Sequence, residues 1–441
     1  MSEEPSQESA EHSDTDQPEY VSVQEVEEVI DENDTGTPEA EDEPMDSTMN
    51  GGDNSEGTSG NGVTEKEQGN IEIDLSNNSV AYFDQHEDSI FTVATHPTLP
   101  LAATGGGDNA TYLWTTHTSP TRFVGKLEGY TESVIASGFT SDGKYLITGD
   151  MTGKVLVHKA KKKGQIWTLF AELQQVEEVS WISVHPKQDI FAFGATDGSV
   201  WVYQMDESNS PTADLVFTGY SHSMDCTAGA FFDVDNTMGE LKLLTVSEDG
   251  SIIGWNCYTQ QQLFKLNSNQ MKGLTPPWVT LDIYENSDHK IAAIGSRNSQ
   301  VVIINLDAGT IVNVFTALEL GPDANIYDAS IEGISWCRCA NLNLLAVGLV
   351  SGDVIIFDTH TWGVRKNMKC QDAVTKVVFF KDSAYLLGSS MDGKVYKWDA
   401  RTGEVVHTYV GHHMGVLGFG IDCGNRLITA GDEGVSLVYD I

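Results

Sequence analysis

His86, Thr104 and Asp108 are the residues of this sequence that most resemble a catalytic set, an imidazole with a hydroxyl and a carboxylate in one short stretch. Such a trio could activate an oxygen nucleophile for acyl transfer, provided the hydroxyl stands beside the base. Directly after Thr104, Gly105-Gly106-Gly107 offers the small residues that a phosphate loop needs. That chemistry requires the glycines to open a helix, whereas a strand-like run ending at Trp114 follows them. His96 and His185 each precede a proline and have no His or Cys partner at metal-ligand spacing. The six cysteines (Cys226, Cys257, Cys337, Cys339, Cys370, Cys423) are scattered and form no C-x-x-C pair. They read as small buried thiols in a reducing compartment. The expectation is therefore no catalytic residue, no cofactor and no metal.

The elements that position these residues are short strands. Ala384–Gly403 contains two alternating runs joined by Asp392-Gly393, and the second run ends in Trp398-Asp399. Asp-Gly between alternating runs is a strong hairpin signal, because the tight turn needs a positive φ that glycine adopts freely. The Gly393 position recurs as Asn109, Gly153, Gly198, Gly250, Ser299, Gly352 and Gly434, at steps of 41 to 53 residues. Five residues after each lie Trp114, His158, Tyr203, Trp255, Ile304, Phe357, Trp398 and Tyr439. Only His158 breaks the run of large apolar or aromatic side chains. A strand pair at such a period means a repeat array. Inner strands are predicted at Ile90–Thr95, Val134–Thr140, Val179–Val184, Cys226–Phe232, Trp278–Ile283, Ile331–Cys337, Val374–Phe380 and Val416–Ile421, each followed by turn residues. The long connections Asn267–Pro277 and Thr316–Asp328 blur the strand boundaries of the fifth and sixth copies.

These eight copies, with the Trp-Asp dipeptide and the Gly411-His412 lead-in, resemble the WD-repeat family of β-propellers. The resemblance covers about Ser79–Ile441 and implies an all-β, eight-bladed WD-repeat propeller. It also implies that His86, Thr104, Asp108 and Trp114 form a buried hydrogen-bonded tetrad, with Ser390, Asp392 and Trp398 matching most of one in blade seven. Read so, the hydroxyl, imidazole and carboxylate satisfy each other in the scaffold and the chain is not an enzyme. The last copy stops at Tyr439-Asp440-Ile441, one strand short. Ser79–Phe83 is expected to supply that strand against Gly434–Asp440, since an open edge invites stray pairing.

Charge bounds the partners. The chain carries 65 acidic and 25 basic residues for a formal net charge of −40. Residues 1–70 are rich in Glu, Asp, Ser and Gly and hold one base, Lys66, so they are expected to be a disordered acidic tail, with 71–441 as the propeller. Within the tail, Val21–Ile30 spaces aliphatics among acids, a candidate for ordering on a partner. No signal peptide or membrane-length apolar run is present, which points to a soluble chain in the cytoplasm, with the nucleus as an alternative. So acidic a body disfavours direct nucleic-acid binding, although Lys159–Lys163 is a basic run at an exposed hairpin tip.

Propeller topology puts the loops before the inner strands and the hairpins between second and third strands on one face, here called the top. Glu87, Asp88, Glu132, Glu177, Glu178, Asp225, Glu248, Asp328, Glu332, Asp372 and Asp432, with Glu433 beside it, fall in those loops, against a single base, Arg297. Their fields add over one concave surface suited to a Lys/Arg-rich segment. Tyr130, Trp181, Tyr220 and Trp336 are expected near its mouth, where aromatics would stack on guanidinium groups. The acidic tail, the eight blades and the stretch His86–Trp114 further resemble the eukaryotic branch that contains the animal angio-associated migratory cell protein and the fungal dedicated chaperone of a large-subunit ribosomal protein. That resemblance implies a monomeric chaperone for the basic N-terminal segment of a newly made ribosomal protein, acting in 60S assembly, with the pre-60S particle as a further partner. A general signalling or ubiquitination scaffold, or a histone chaperone, are the competing readings.

Overall fold

The computed structural model describes residues 76–441, apart from 208–211, 268, 272–275, 288 and 323. The expectations for residues 1–70, including the Val21–Ile30 motif and the domain boundary itself, lie outside the described residues. The chain from Ala81 onward forms eight four-stranded antiparallel sheets. Seven are built from consecutive strands, each running inner, second, third and outer. In the eighth, the order is Ala81–Phe83, Ser436–Asp440, Arg426–Gly431, Val416–Ile421, so the first described strand is the outer strand of the last blade. Its register pairs Ala81 with Val438 and Phe83 with Ser436.

Local sequence explains each hairpin. The residue at the Gly393 position is left-handed in all eight copies: φ is near +80° at Gly153, Gly250, Gly393 and Gly434, and 56° and 66° at Asn109 and Ser299. Asn is among the few side chains that tolerate this region, and Ser299 is held there with its hydroxyl accepting from Leu318 N at 2.7 Å. Beyond the hairpin, the position five residues later is buried in every blade, from Trp114, Ile304 and Trp398 to His158. These side chains fill the seams between neighbouring sheets, where the large apolar clusters lie.

Inner strands form close to the predicted positions, at Ile90–Thr95, Val134–Phe139, Val179–Val184, Ala228–Phe232, Trp278–Glu285, Ile331–Trp336, Val374–Phe379 and Val416–Ile421. Blade four starts later than expected because Cys226 N donates sideways to Ala195 O of blade three (3.1 Å) rather than into its own ladder. The long lead-in to blade six carries a 3-10 turn, Ile326–Ala329, capped by Asn325.

Candidate functional site

In the first blade, the trio that opened the sequence reading is fully consumed. His86 Nδ1 meets Asp108 at 3.1 Å, His86 Nε2 meets Thr104 Oγ1 at 2.9 Å, and Trp114 Nε1 donates to the same hydroxyl at 3.1 Å. Burial lowers the His86 pKa, with the Asp108 carboxylate opposing. The same network recurs where it was not predicted. In blade four, His222 and Trp255 share Thr245 Oγ1, each at 2.8 Å. In blade eight, His412 bonds Thr429 and Glu433, both at 2.6 Å. In blade two, Tyr130 takes the histidine's place, bonding Thr148 Oγ1 (2.8 Å), and its pKa is pushed up to about 12, mainly by burial.

Blade seven departs from expectation. At the position that carries Thr104, Thr148, Thr245 and Thr429 in blades one, two, four and eight stands Gly388, and a Cβ there would lie 2.7 Å from the Trp398 ring. Ser390, two residues further on, instead donates to Asp372 O (3.0 Å). Trp398 stacks on Tyr396, whose hydroxyl donates to Asp392 at 2.8 Å. The bulk of the indole replaces the hydroxyl.

With those groups committed to the scaffold, the top loops carry the remaining chemistry. Asp88 Oδ1 accepts from Ser89 N (2.7 Å), and Ser89 Oγ donates to Asp432 Oδ1 (2.8 Å), so the acids of blades eight and one adjoin. Between blades three and five, Asp225 accepts from Ser180 Oγ at 2.6 Å. Its pKa is raised by burial first, with Glu248 and Glu178 pushing the same way and Ser180 and Arg297 opposing. Glu178, Asp225 and Glu248 are thus brought together. Glu248 is neutralised by an ion pair with Arg297, and Glu433 is held by His412, so these two are less available than the sequence suggests. Glu87, Asp88, Glu132, Glu177, Glu332 and Asp372 are exposed; Asp328, on the 3-10 turn, and Asp432 are half-buried.

The expected aromatics are mostly elsewhere. Tyr220 is 67% exposed on the top, edge-on to Trp201. Tyr130 is tied down as described. Trp181 lies over Gly194 and Gly229 with Nε1 bonded to Cys226 O (2.7 Å). Trp336 is buried near the far end of its strand, bonded to Asp282 O. Sequence reasoning missed the side chains that do reach the rim: Tyr327 at 65% exposure, its neighbour Ile326, and Met151, Met224 and Met414. A signal existed. Two residues after His86, Tyr130, Val176, His222 and His412 lie Asp88, Glu132, Glu178, Met224 and Met414, so acids and thioethers share one ring position.

The pairing registers also align the inner strands that wall the central channel. At the mouth level, the eight equivalents run from Phe91 and Ile135 to Thr375 and Leu417, and only Glu332 is charged. One residue deeper, the only charge is Lys376; two levels below that, it is Asp282, paired with Arg338 at 2.9 Å. The mouth therefore has an apolar arc at Leu417, Phe91 and Ile135 and an acidic point at Glu332. Among the described residues no group of His, Cys, Asp and Glu could hold a metal.

A family profile described as "WD domain, G-beta repeat" matches residues 77–115 and 363–399. The ribosome assembly protein SQT1 of Saccharomyces cerevisiae is 45% identical over 386 residues, covering 84% of this chain and 88% of that protein. Its crystal structure superposes with a TM-score of 0.79 at 44% identity, over 83% of this chain and all of that one. Angio-associated migratory cell protein of Homo sapiens is 26% identical, covering 84% of this chain and 82% of its own. Sqt1 of Chaetomium thermophilum, in a crystal structure bound to the N-terminus of the ribosomal protein L10, is 28% identical with a TM-score of 0.73, over 83% of this chain and all of that one. The chain is a WD-repeat propeller and belongs to the Sqt1 ribosome assembly family.

Proposed function

We propose that this protein is a non-enzymatic, dedicated chaperone that captures the basic N-terminal segment of a newly synthesised large-subunit ribosomal protein on its acidic top face and so supports 60S assembly. The observation that carries the reading is the convergence of exposed carboxylates at equivalent loop positions around one face, with Glu332 at the channel mouth. The relative bound to the L10 N-terminus supports the sign and the kind of ligand. A ring of carboxylates attracts Arg and Lys over distance and then bonds guanidinium groups in pairs. The hydroxyl–imidazole–carboxylate sets found among the described residues serve the blade seams, which supports the non-enzymatic reading. The client is the partner; nucleic acid, membrane and a second copy are not required, and the cytoplasm is where such a client is made.

Fluorescence anisotropy with a labelled N-terminal peptide of L10 tests this. Glu332→Lys should weaken binding at least about ten-fold at low salt, the effect of reversing one charge in a partly desolvated contact. Equal binding by wild type and Glu332→Lys, or binding that ignores salt, would sink the acidic-face mechanism.

A further inference from the structure

Lys376 is the one cation among the residues that wall the upper channel, and it lies directly beneath the level of Glu332 on the neighbouring inner strand. Both residues line a single cavity of about 420 Å³, together with Asp282 and Arg338. They do not pair. Glu332 Oε1 accepts from Ser330 Oγ at 2.6 Å, while Lys376 Nζ turns toward blade eight, donating to Phe419 O at 2.9 Å and resting 5.3 Å from the Phe419 ring centre. Asp282 is no partner for Lys376 either, because Arg338 and the Trp336 amide occupy its two oxygens. Lys376 is an exposed residue of the channel wall, and desolvation of its ammonium moves its pKa below the ordinary lysine range. The carbonyl and the ring face of Phe419 both favour the charged form.

We infer that Lys376 sets the depth to which a basic client segment enters: its ammonium forms a charged floor under Glu332, so the segment lies across the channel mouth and does not thread into it. This rests on the acidic-face reading above and adds a specificity residue to it. A cation anchored at Glu332 is attracted by the carboxylate, but a cation that moves deeper approaches the like charge of Lys376 and is repelled. The same floor would admit the uncharged part of a client side chain while rejecting its charged end, so it favours segments whose basic groups stay at the rim. Lys376 is a positioning residue; the carboxylates supply the attraction.

The probe is fluorescein-labelled nona-arginine, titrated by anisotropy against the full chain in low and high salt. Lys376→Met and Lys376→Gln should each bind about five-fold tighter than wild type at low salt, the size of effect a unit charge roughly 8 Å away produces at an effective dielectric near 40. The gain should shrink above a few hundred millimolar salt, and Lys376→Arg, which keeps the charge, should behave as wild type. A merely structural lysine predicts the reverse, with the Met and Gln variants equal to or weaker than wild type, and that result overturns the inference. Using two neutral variants guards against a fold defect in either, and their thermal midpoints report it. Failure of the underlying reading looks different: wild type and Glu332→Gln would then bind the probe equally, and both ideas would fall together.

Discussion

The hydroxyl of Thr104 serves two buried donors or acceptors at once, Trp114 Nε1 and His86 Nε2. Removing it strands both. Thr104→Ala should therefore cost about 2–3 kcal/mol in urea denaturation, more than an ordinary hydrogen bond, because the unsatisfied partners remain buried. A loss below about 0.5 kcal/mol would mean that the tetrad is not a stabilising unit. His158 offers the opposite case. It sits where six of the other seven blades place an aromatic, is buried, and its Nδ1 has no hydrogen-bond partner. Burial alone lowers its pKa to about 4 from an ordinary value of 6.5; His222 is likewise held at about 4, with burial the largest cause. Between pH 6.5 and 4 the unfolded chain takes up a proton that the folded one refuses. Stability from these two groups is thus complete above about pH 6.5 and falls as the pH drops toward 4, by roughly 2 kcal/mol each at pH 5. His158→Phe should raise stability at pH 7 by about 1 kcal/mol, since it removes a buried unpaired nitrogen, and should flatten the pH profile of denaturation. An unchanged slope between pH 7 and 5 would exclude His158 as a contributor.

Among the elements, the outer strand of blade eight matters most. Ala81–Phe83 is only three residues long, but it closes the ring of blades by pairing with Ser436–Asp440. Its Phe83 ring stacks on Trp114 of blade one, with centroids 5.0 Å apart and planes within 4°, so a strand of one blade also packs the seam with the next. Phe83→Ala should destabilise by about 3–5 kcal/mol through the cavity it opens. A chain beginning at His86 should lose more than that, because Ser436–Asp440 becomes an exposed edge. Size-exclusion chromatography and thermal denaturation would check both; a monomeric, fully stable fragment beginning at His86 would show that the closing strand is dispensable.

For the whole molecule, the consequence is a field rather than a contact. Acids on adjoining blades, such as Asp88 with Asp432 and Glu178 with Asp225, act on an approaching segment together. Association with a basic peptide should slow by roughly ten-fold or more between 20 and 300 mM salt, while dissociation changes less, because screening removes steering before it removes short-range bonds. Stopped-flow measurements would show this, and a salt-independent association rate would leave the ring of acids without a steering role. The exposed Met151, Met224 and Met414 offer a polarizable surface of the kind that adapts to apolar side chains.

The repeat was legible from residue types alone, because a hairpin needs a positive φ and a seam needs a large side chain five residues later, and both needs are local. The acids are gathered on one face by loop order under propeller topology, although Glu332 falls in the inner strand Ile331–Trp336 rather than in a loop. Which side chains are free on that face is a different kind of fact. Arg297 cancelling Glu248, Tyr130 turning inward to Thr148, and Gly388 yielding its place to the Trp398 ring all depend on neighbours many residues away in sequence. The same holds for the channel. Glu332, Lys376 and Asp282 come from three separate blades, and only the register of the sheets stacks their charges one below another beneath the mouth.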